Sequence, residues 1–198
     1  AEGGKKITFS EVFKLEYIPF MMGLYVLIFL GFNIYYTAFP VFAATALEWR
    51  PAELGIYFSV LSAMMAFVQG PVLGKLTTRY AESVLIVAGG FILGLQFILI
   101  VPGNIFLLYL AAVFFALGNG IMWPCVLSML SKLAGKTYQG SVQGFAMSAS
   151  SLASIIGLLA GGVLYTQLKA MSFLVAAAII YIVVFLSLRL MKIEKSRQ

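Results

Sequence analysis

A chain of 198 residues that is 62% hydrophobic and 10% charged, with a mean hydropathy of +1.03, cannot cover a water-facing surface with polar groups; its solvent is lipid. The formal charge of +6 invites a nucleic-acid partner, but the cations sit at helix ends and in tails, where they fix topology and meet anionic headgroups, so none is expected. One cysteine, Cys125, and no histidine exclude an internal disulfide and a Cys/His zinc site, and nothing in the sequence asks for a metal or cofactor.

Residues 1–16 read as a cytoplasmic segment whose Lys5–Glu16 stretch is amphipathic, with Ile7, Phe9, Val12, Phe13 and Leu15 among Lys and Glu and with Ser10 as an N-cap. The chain opens on Ala1, and Ala1–Lys6 resembles no signal peptide, so either something is expected to precede it in the gene or its start has been trimmed. Six apolar runs follow, about Tyr17–Leu47, Leu54–Leu76, Val84–Val101, Ile105–Leu130, Val142–Leu164 and Met171–Leu190. Each is long enough, at 1.5 Å per residue, to cross a hydrocarbon core of about 30 Å. The fold class expected is therefore an all-α membrane protein, with a six-helix bundle over residues 17–191 and a cytoplasmic tail over 192–198.

The first run carries Gly23, Gly31 and Pro40, so tilt or a kink near Pro40 is expected. Glu48–Pro51 makes the first outer loop, Lys75–Glu82 an inner turn, and Pro102-Gly103-Asn104 an uncharged outer turn. The second inner connection is about Ser131–Gln139, and the last outer one centres on Gln167–Ala170. If the crossings alternate, eleven of the thirteen Lys and Arg residues share one compartment, leaving Arg50 and Lys169 opposite. The positive-inside rule makes the crowded side cytoplasmic, with both termini there.

Glycine concentrates in the spans. Gly70/Gly74, Gly90/Gly94, Gly140/Gly144 and Gly157/Gly161 are pairs at the spacing that lets helix backbones approach where lipid supplies no hydrophobic drive. In the fifth run Gly140, Gly144, Ser148, Ser151, Ser154, Gly157 and Gly161 fall close to one face, which is expected to press on another helix.

The inner turn after the second run is more specific. Gly70-Pro71-Val72-Leu73-Gly74-Lys75-Leu76-Thr77-Thr78-Arg79-Tyr80-Ala81-Glu82-Ser83 resembles the cytoplasmic loop signature of the major facilitator superfamily, matching at Gly70, Gly74, Lys75, Leu76, Arg79 and Tyr80. Thr78, Ala81, Glu82 and Ser83 depart from it, as the second copy of that loop in a twelve-helix transporter often does. The fifth run carries Gly144, Ala153, Gly157, Leu158, Gly161 and Gly162 at the spacings of the family's antiporter motif, with Ala153 and Leu158 as departures. A plain glycine packing face is compatible with that motif, which itself works by close packing.

The resemblance covers essentially the whole chain and implies a C-terminal half, helices seven to twelve, of a major facilitator transporter, nearest the drug and sugar efflux branch. It also implies that the first and fourth helices of the half line a central cavity. The candidate solute contacts are then Tyr25, Phe29, Phe32, Asn33 and Tyr36, with Phe115, Asn119, Met122 and Trp123 from the fourth run. An embedded amide costs free energy unless paired or wetted, so Asn33 and Asn119 should face a cavity or hydrogen-bond another helix. Gln69, Gln96, Gln139 and Gln143 follow the same logic with less force.

All seven acidic residues, Glu2, Glu11, Glu16, Glu48, Glu53, Glu82 and Glu194, lie at or beyond run ends, so this half carries no obvious proton-coupling acid. The same absence of embedded acids and bases argues against an intramembrane enzyme. The expected function is secondary transport of a small amphiphilic or sugar-like solute by alternating access in the inner membrane. Its partners would be that solute, the bilayer, and the transporter's N-terminal six-helix half or a second copy. The alternative is a complete six-helix protein, acting as a homodimeric channel or facilitator or as a structural membrane component.

Overall fold

The computed structural model describes residues 9–195, and side chains from residue 11 onward. The side chain of Ser10, the expected N-cap, and the cations Lys5, Lys6 and Arg197 lie outside that description. All regular structure among the described residues is helical, with no strand among them. A single turn, α1 (Phe9–Val12), is followed by α2 (Ile18–Ala46), α3 (Pro51–Phe67), a wide π turn (Val68–Val72) and α4 (Leu73–Thr77). Then come α5 (Glu82–Ile100), α6 (Ile105–Leu168), a 3₁₀ turn (Lys169–Met171) and α7 (Ser172–Lys195).

Four segments are long and apolar enough to cross a membrane: Ile18–Ala46, Pro51–Thr77, Glu82–Ile100 and Ile105–Lys195. The last is not one rod. Inside α6, Gly135 adopts φ 69° and ψ 164°, a backbone region that only glycine enters without strain, and the helix turns there. The arm before Gly135 runs antiparallel to α2, with Trp123 against Tyr25 and Phe115 against Phe32. The arm after it runs parallel to α2, with Ser154 at Asn33 and Tyr165 at Thr45.

Local sequence accounts for the other breaks. Pro51 opens α3, with Glu53 accepting the Arg50 backbone N–H at 2.6 Å. Asn104 caps α6 by accepting from the amides of Phe106 and Leu107, at 2.9 and 3.3 Å. Pro71 supplies no N–H, and the π turn around it lets the helix continue across the missing bond. α2 continues through Pro40 as one helix of 29 residues.

α2 and α5 are the buried helices, each with 56% of its apolar window inside the bundle, whereas Pro51–Thr77 has 17% and lies at the edge. The helices meet most closely where glycine removes a side chain. A Cβ at Gly118 would stand 2.6 Å from the Leu93 amide nitrogen and 2.8 Å from the Gly89 carbonyl oxygen, so α5 and the first arm of α6 cross backbone to backbone. Gly90 and Gly94 receive Val184 and Tyr181 of α7.

The four-glycine face expected in the second arm of α6 divides in two. Gly157 and Gly161 admit α2, where an added Cβ would meet Asn33 Cβ at 2.8 Å and the Ile34 backbone at 3.0 Å. Gly140, Gly144 and Gly162 have nothing within 4 Å, and neither do Gly70 and Gly74. Among the described residues these glycines therefore admit no neighbouring helix. Gly157→Leu is accordingly expected to lower the melting temperature in detergent by several degrees, from about 1–3 kcal/mol of overpacking, while Gly144→Leu leaves it unchanged. Equal melting temperatures for the two variants would contradict this packing.

The end of the bundle that holds Gly135 is tied by charge. Glu82, in the first turn of α5, accepts from Ser128 Oγ at 2.6 Å and from Lys132 Nζ at 2.9 Å. Glu194 of α7 accepts the Ser83 N–H at 2.9 Å. Acids at this helix start also meet the positive end of the α5 dipole. Lys75, Arg79, Lys132, Lys136, Arg189, Lys192 and Lys195 gather at this end, and Arg50 and Lys169 at the other.

Candidate functional site

On α2, Tyr25, Phe29, Phe32, Asn33 and Tyr36 recur every three to four residues and so share one side of the helix. The first arm of α6 descends along that side. Tyr25 and Phe29 stack with ring centroids 5.1 Å apart, and Trp123 closes the group at 5.0 Å from Tyr25 and 5.3 Å from Phe29. Beside Tyr25 and Trp123 opens a cavity of about 300 Å³, lined further by Leu127, Leu130, Gln143, Ala146 and Met147. Both arms of α6 and α2 thus contribute to one concave space. It contains no charged side chain, one amide, one phenol and one indole.

A second aromatic group continues along the same side, toward the other end of the bundle. Phe115 lies 6.0 Å from Phe32 and 6.5 Å from Tyr36. Phe115 is wholly buried and belongs to the core with Tyr35, whereas Tyr36 is 44% exposed. Of the residues singled out in the sequence, Tyr25 and Trp123 line the cavity, Phe29 packs behind them, and Tyr36 stands open beyond.

The two asparagines have separate fates. Asn33 Nδ2 donates to the Phe29 carbonyl at 2.7 Å and to Ser154 Oγ at 3.0 Å, so both of its donors are used and it ties α2 to the second arm of α6. Asn119 Nδ2 reaches only Met65 Sδ of α3, at 3.5 Å, and its Oδ1 is buried without a partner. Met122 is fully buried against Gly89 and Gly90 of α5 and does not reach the cavity. Adjacent helix positions differ by about 100°, so Met122 and Trp123 cannot share a face.

Gln143 is the polar group of the cavity that helix-end reasoning undervalued. Its place near the start of the fifth apolar run reads equally well as a cap, and only the fold back at Gly135 brings it beside Tyr25. Leu127 and Leu130 gave no signal, since an apolar residue in a span is silent about whether lipid, helix or cavity faces it. Gln96 is wholly buried in α5 with neither amide atom partnered.

A sequence profile of the Major Facilitator Superfamily matches residues 21–198. The chain belongs to that superfamily. It is therefore a multi-pass membrane protein of a transporter family and not an enzyme. The class D tetracycline resistance protein of Salmonella ordonez is 28% identical over 167 residues, which make up 80% of this chain and 42% of that protein. Multidrug resistance protein 2 of Bacillus subtilis (strain 168) is 25% identical over 168 residues, 81% of this chain and 41% of that one. The chain thus spans about two-fifths of the length of these relatives. The crystal structure of the human organic anion transporter MFSD10 (TETRAN) superposes with a TM-score of 0.74 at 21% identity, covering 94% of this chain and 43% of the other, a likeness of fold.

In this superfamily chain the motif residues run from the π turn, which holds Gly70, through α4, which holds Gly74 and Lys75, to Arg79 in the α4–α5 connection. Lys75 and Arg79 are exposed, and among the described residues neither forms an ion pair. Glu82, which replaces a cation of the usual loop signature, instead accepts the Lys132 contact from α6.

Proposed function

We propose that the chain is the C-terminal half of a twelve-helix transporter, crossing the inner membrane six times over residues 17–191. Residues 1–16 are then a linker and 192–198 a tail, both cytoplasmic. The reversal at Gly135 supports six crossings, since the two arms of α6 lie in opposite directions along α2. The separation of the cations to one end supports the orientation, and a match to about two-fifths of the relatives' length fits one half of a longer transporter.

The solute is a small amphiphilic or weakly polar compound, moved outward by rocking of the two halves about the site. The observation that carries this reading is the uncharged cavity walled by Tyr25, Trp123 and Gln143. Aromatic faces bind flat apolar groups, while the amide, phenol and indole fix orientation by a few hydrogen bonds. The relatives' names, for tetracycline and multidrug resistance, fit efflux of such compounds. Tyr25, Phe29, Trp123 and Gln143 are the residues placed in contact with solute or directly behind it, and Asn33 holds the wall they stand on.

Topology tests the frame. In a Cys125→Ser background, single cysteines replacing Lys136 or Lys195 should react with a membrane-impermeant thiol reagent only after the cytoplasmic face is opened, and a cysteine replacing Arg50 in intact cells. The opposite pattern, or labelling of Lys136 and Lys195 positions from opposite faces, would overturn the six-crossing reading. Cells expressing the intact polypeptide should also retain less of a fluorescent amphiphile than cells without it; equal retention would remove the efflux assignment.

A further inference from the structure

Where α2 begins, the chain bends sharply. Tyr17 takes a left-handed conformation, φ 64°, and folds the segment before it back along the last turns of α7. Val12 is wholly buried there, so the fold-back is anchored. Between the two elements lies a cavity of about 540 Å³, with walls from Leu15, Tyr17, Phe20, Arg189, Lys192 and Ile193. It is larger than the solute cavity and stands apart from it, at the level where the apolar spans end.

Its chemistry is divided. Arg189 and Lys192 are three residues apart on α7, so they project on one side of the helix. The Arg189 guanidinium carbon lies 5.8 Å from the centroid of the Phe20 ring, which holds the cation at the cavity's edge. Neither cation forms an ion pair among the described residues. Among the described residues no carboxylate lines the recess: Glu16 lies between the lining residues Leu15 and Tyr17 without joining its wall, and Glu194 on α7 is committed to the Ser83 amide on another side. The opening turn of the 29-residue α2 adds the positive end of a helix dipole to the same place. Leu15, Phe20 and Ile193 supply an apolar floor beside this charge.

We infer that this recess binds the phosphate headgroup of an anionic phospholipid, with Arg189 and Lys192 on the phosphate and the acyl chains leaving along the apolar wall. Two cations without acids select negative charge, and the apolar floor at the end of the spans selects a molecule that carries its phosphate on hydrocarbon. A soluble phosphate ligand would gain nothing from that floor. Assignment to the cytoplasmic leaflet rests on the orientation proposed above; the site itself requires only headgroup depth.

Native mass spectrometry and thermal melting of the detergent-purified intact polypeptide test it, using phosphatidylglycerol, phosphatidylcholine and inorganic phosphate as probes. Phosphatidylglycerol should be retained and raise the melting temperature, and phosphatidylcholine should not. The double substitution R189Q/K192Q should weaken phosphatidylglycerol retention about tenfold or more, on the scale expected for two surface cations. The matched charge removal K75Q/R79Q, at the exposed loop, should leave it unchanged. Each variant's melting temperature without lipid reports folding separately. Equal loss from both double variants would mean diffuse surface attraction and overturn the site. Displacement of the lipid by millimolar inorganic phosphate, or equal retention of phosphatidylcholine, would overturn the anionic-lipid assignment. None of these outcomes depends on solute flux, so failure of the transport reading would be seen separately.

Discussion

Gly118→Leu should be the most damaging single substitution in the bundle, costing about 3 kcal/mol or more, at or beyond the upper end of core overpacking. The reason is what stands opposite. A Cβ at Gly118 would lie 2.6 Å from a backbone nitrogen and 2.8 Å from a backbone oxygen of α5, and neither can rotate away as a side-chain tip would. Relief requires the two helices to separate, and that would also move Met122 out of the notch at Gly89 and strain the Glu82–Lys132 contact. At about 2–4 °C per kcal/mol for a chain of this size, the melting temperature in detergent should fall by on the order of 10 °C. Gly118→Ala should show a reduced form of the same loss. A melting curve for Gly118→Leu that overlies the unsubstituted protein would show that α5 and the first arm of α6 do not cross there.

Trp123→Ala should have the largest effect on transport. Its indole touches both Tyr25 and Phe29, and aromatic pairs at such spacing contribute about 0.5–1.5 kcal/mol each beyond buried area. Removing it widens the cavity and deletes the largest face a flat solute could stack on. For an amphiphilic solute the half-saturating concentration should rise about tenfold, and loss of the two ring pairs should also lower the melting temperature by several degrees. Trp123→Phe should restore most of the lost affinity. Met122→Ala, one position away, should lower stability and leave affinity alone, since its side chain fills the α5 crossing. Unchanged flux in Trp123→Ala would take the aromatic group out of the solute path.

Much of the architecture could be read without coordinates. Apolar runs of near-membrane length, the glycine spacings and the partial loop signature at Gly70–Ser83 led to the superfamily that the profile match establishes. On α2 the helical period put Tyr25, Phe29 and Asn33 on one side, and of these Tyr25 lines the cavity, Phe29 stacks on it and Asn33 hydrogen-bonds Ser154. The α6 side was legible only in part. Phe115, Asn119, Met122 and Trp123 were grouped as one lining, whereas Phe115 joins the core, Asn119 turns to α3, Met122 to α5, and Trp123 alone faces the cavity.

The order of residues determined the solvent, the helical class, the family and the gathering of cations at alternate connections, because each depends on composition and local period. Contact partners were decided by the tertiary structure alone: that Gly157 receives α2 while Gly144 stays open, that Gly118 and Gly89 meet, and that Gln143 reaches Tyr25. In water a buried face is marked by its hydrophobicity. In a bilayer the faces toward lipid, toward a neighbouring helix and toward a cavity can all be apolar, so the helical period gives the sides of each rod but not which side another rod will occupy.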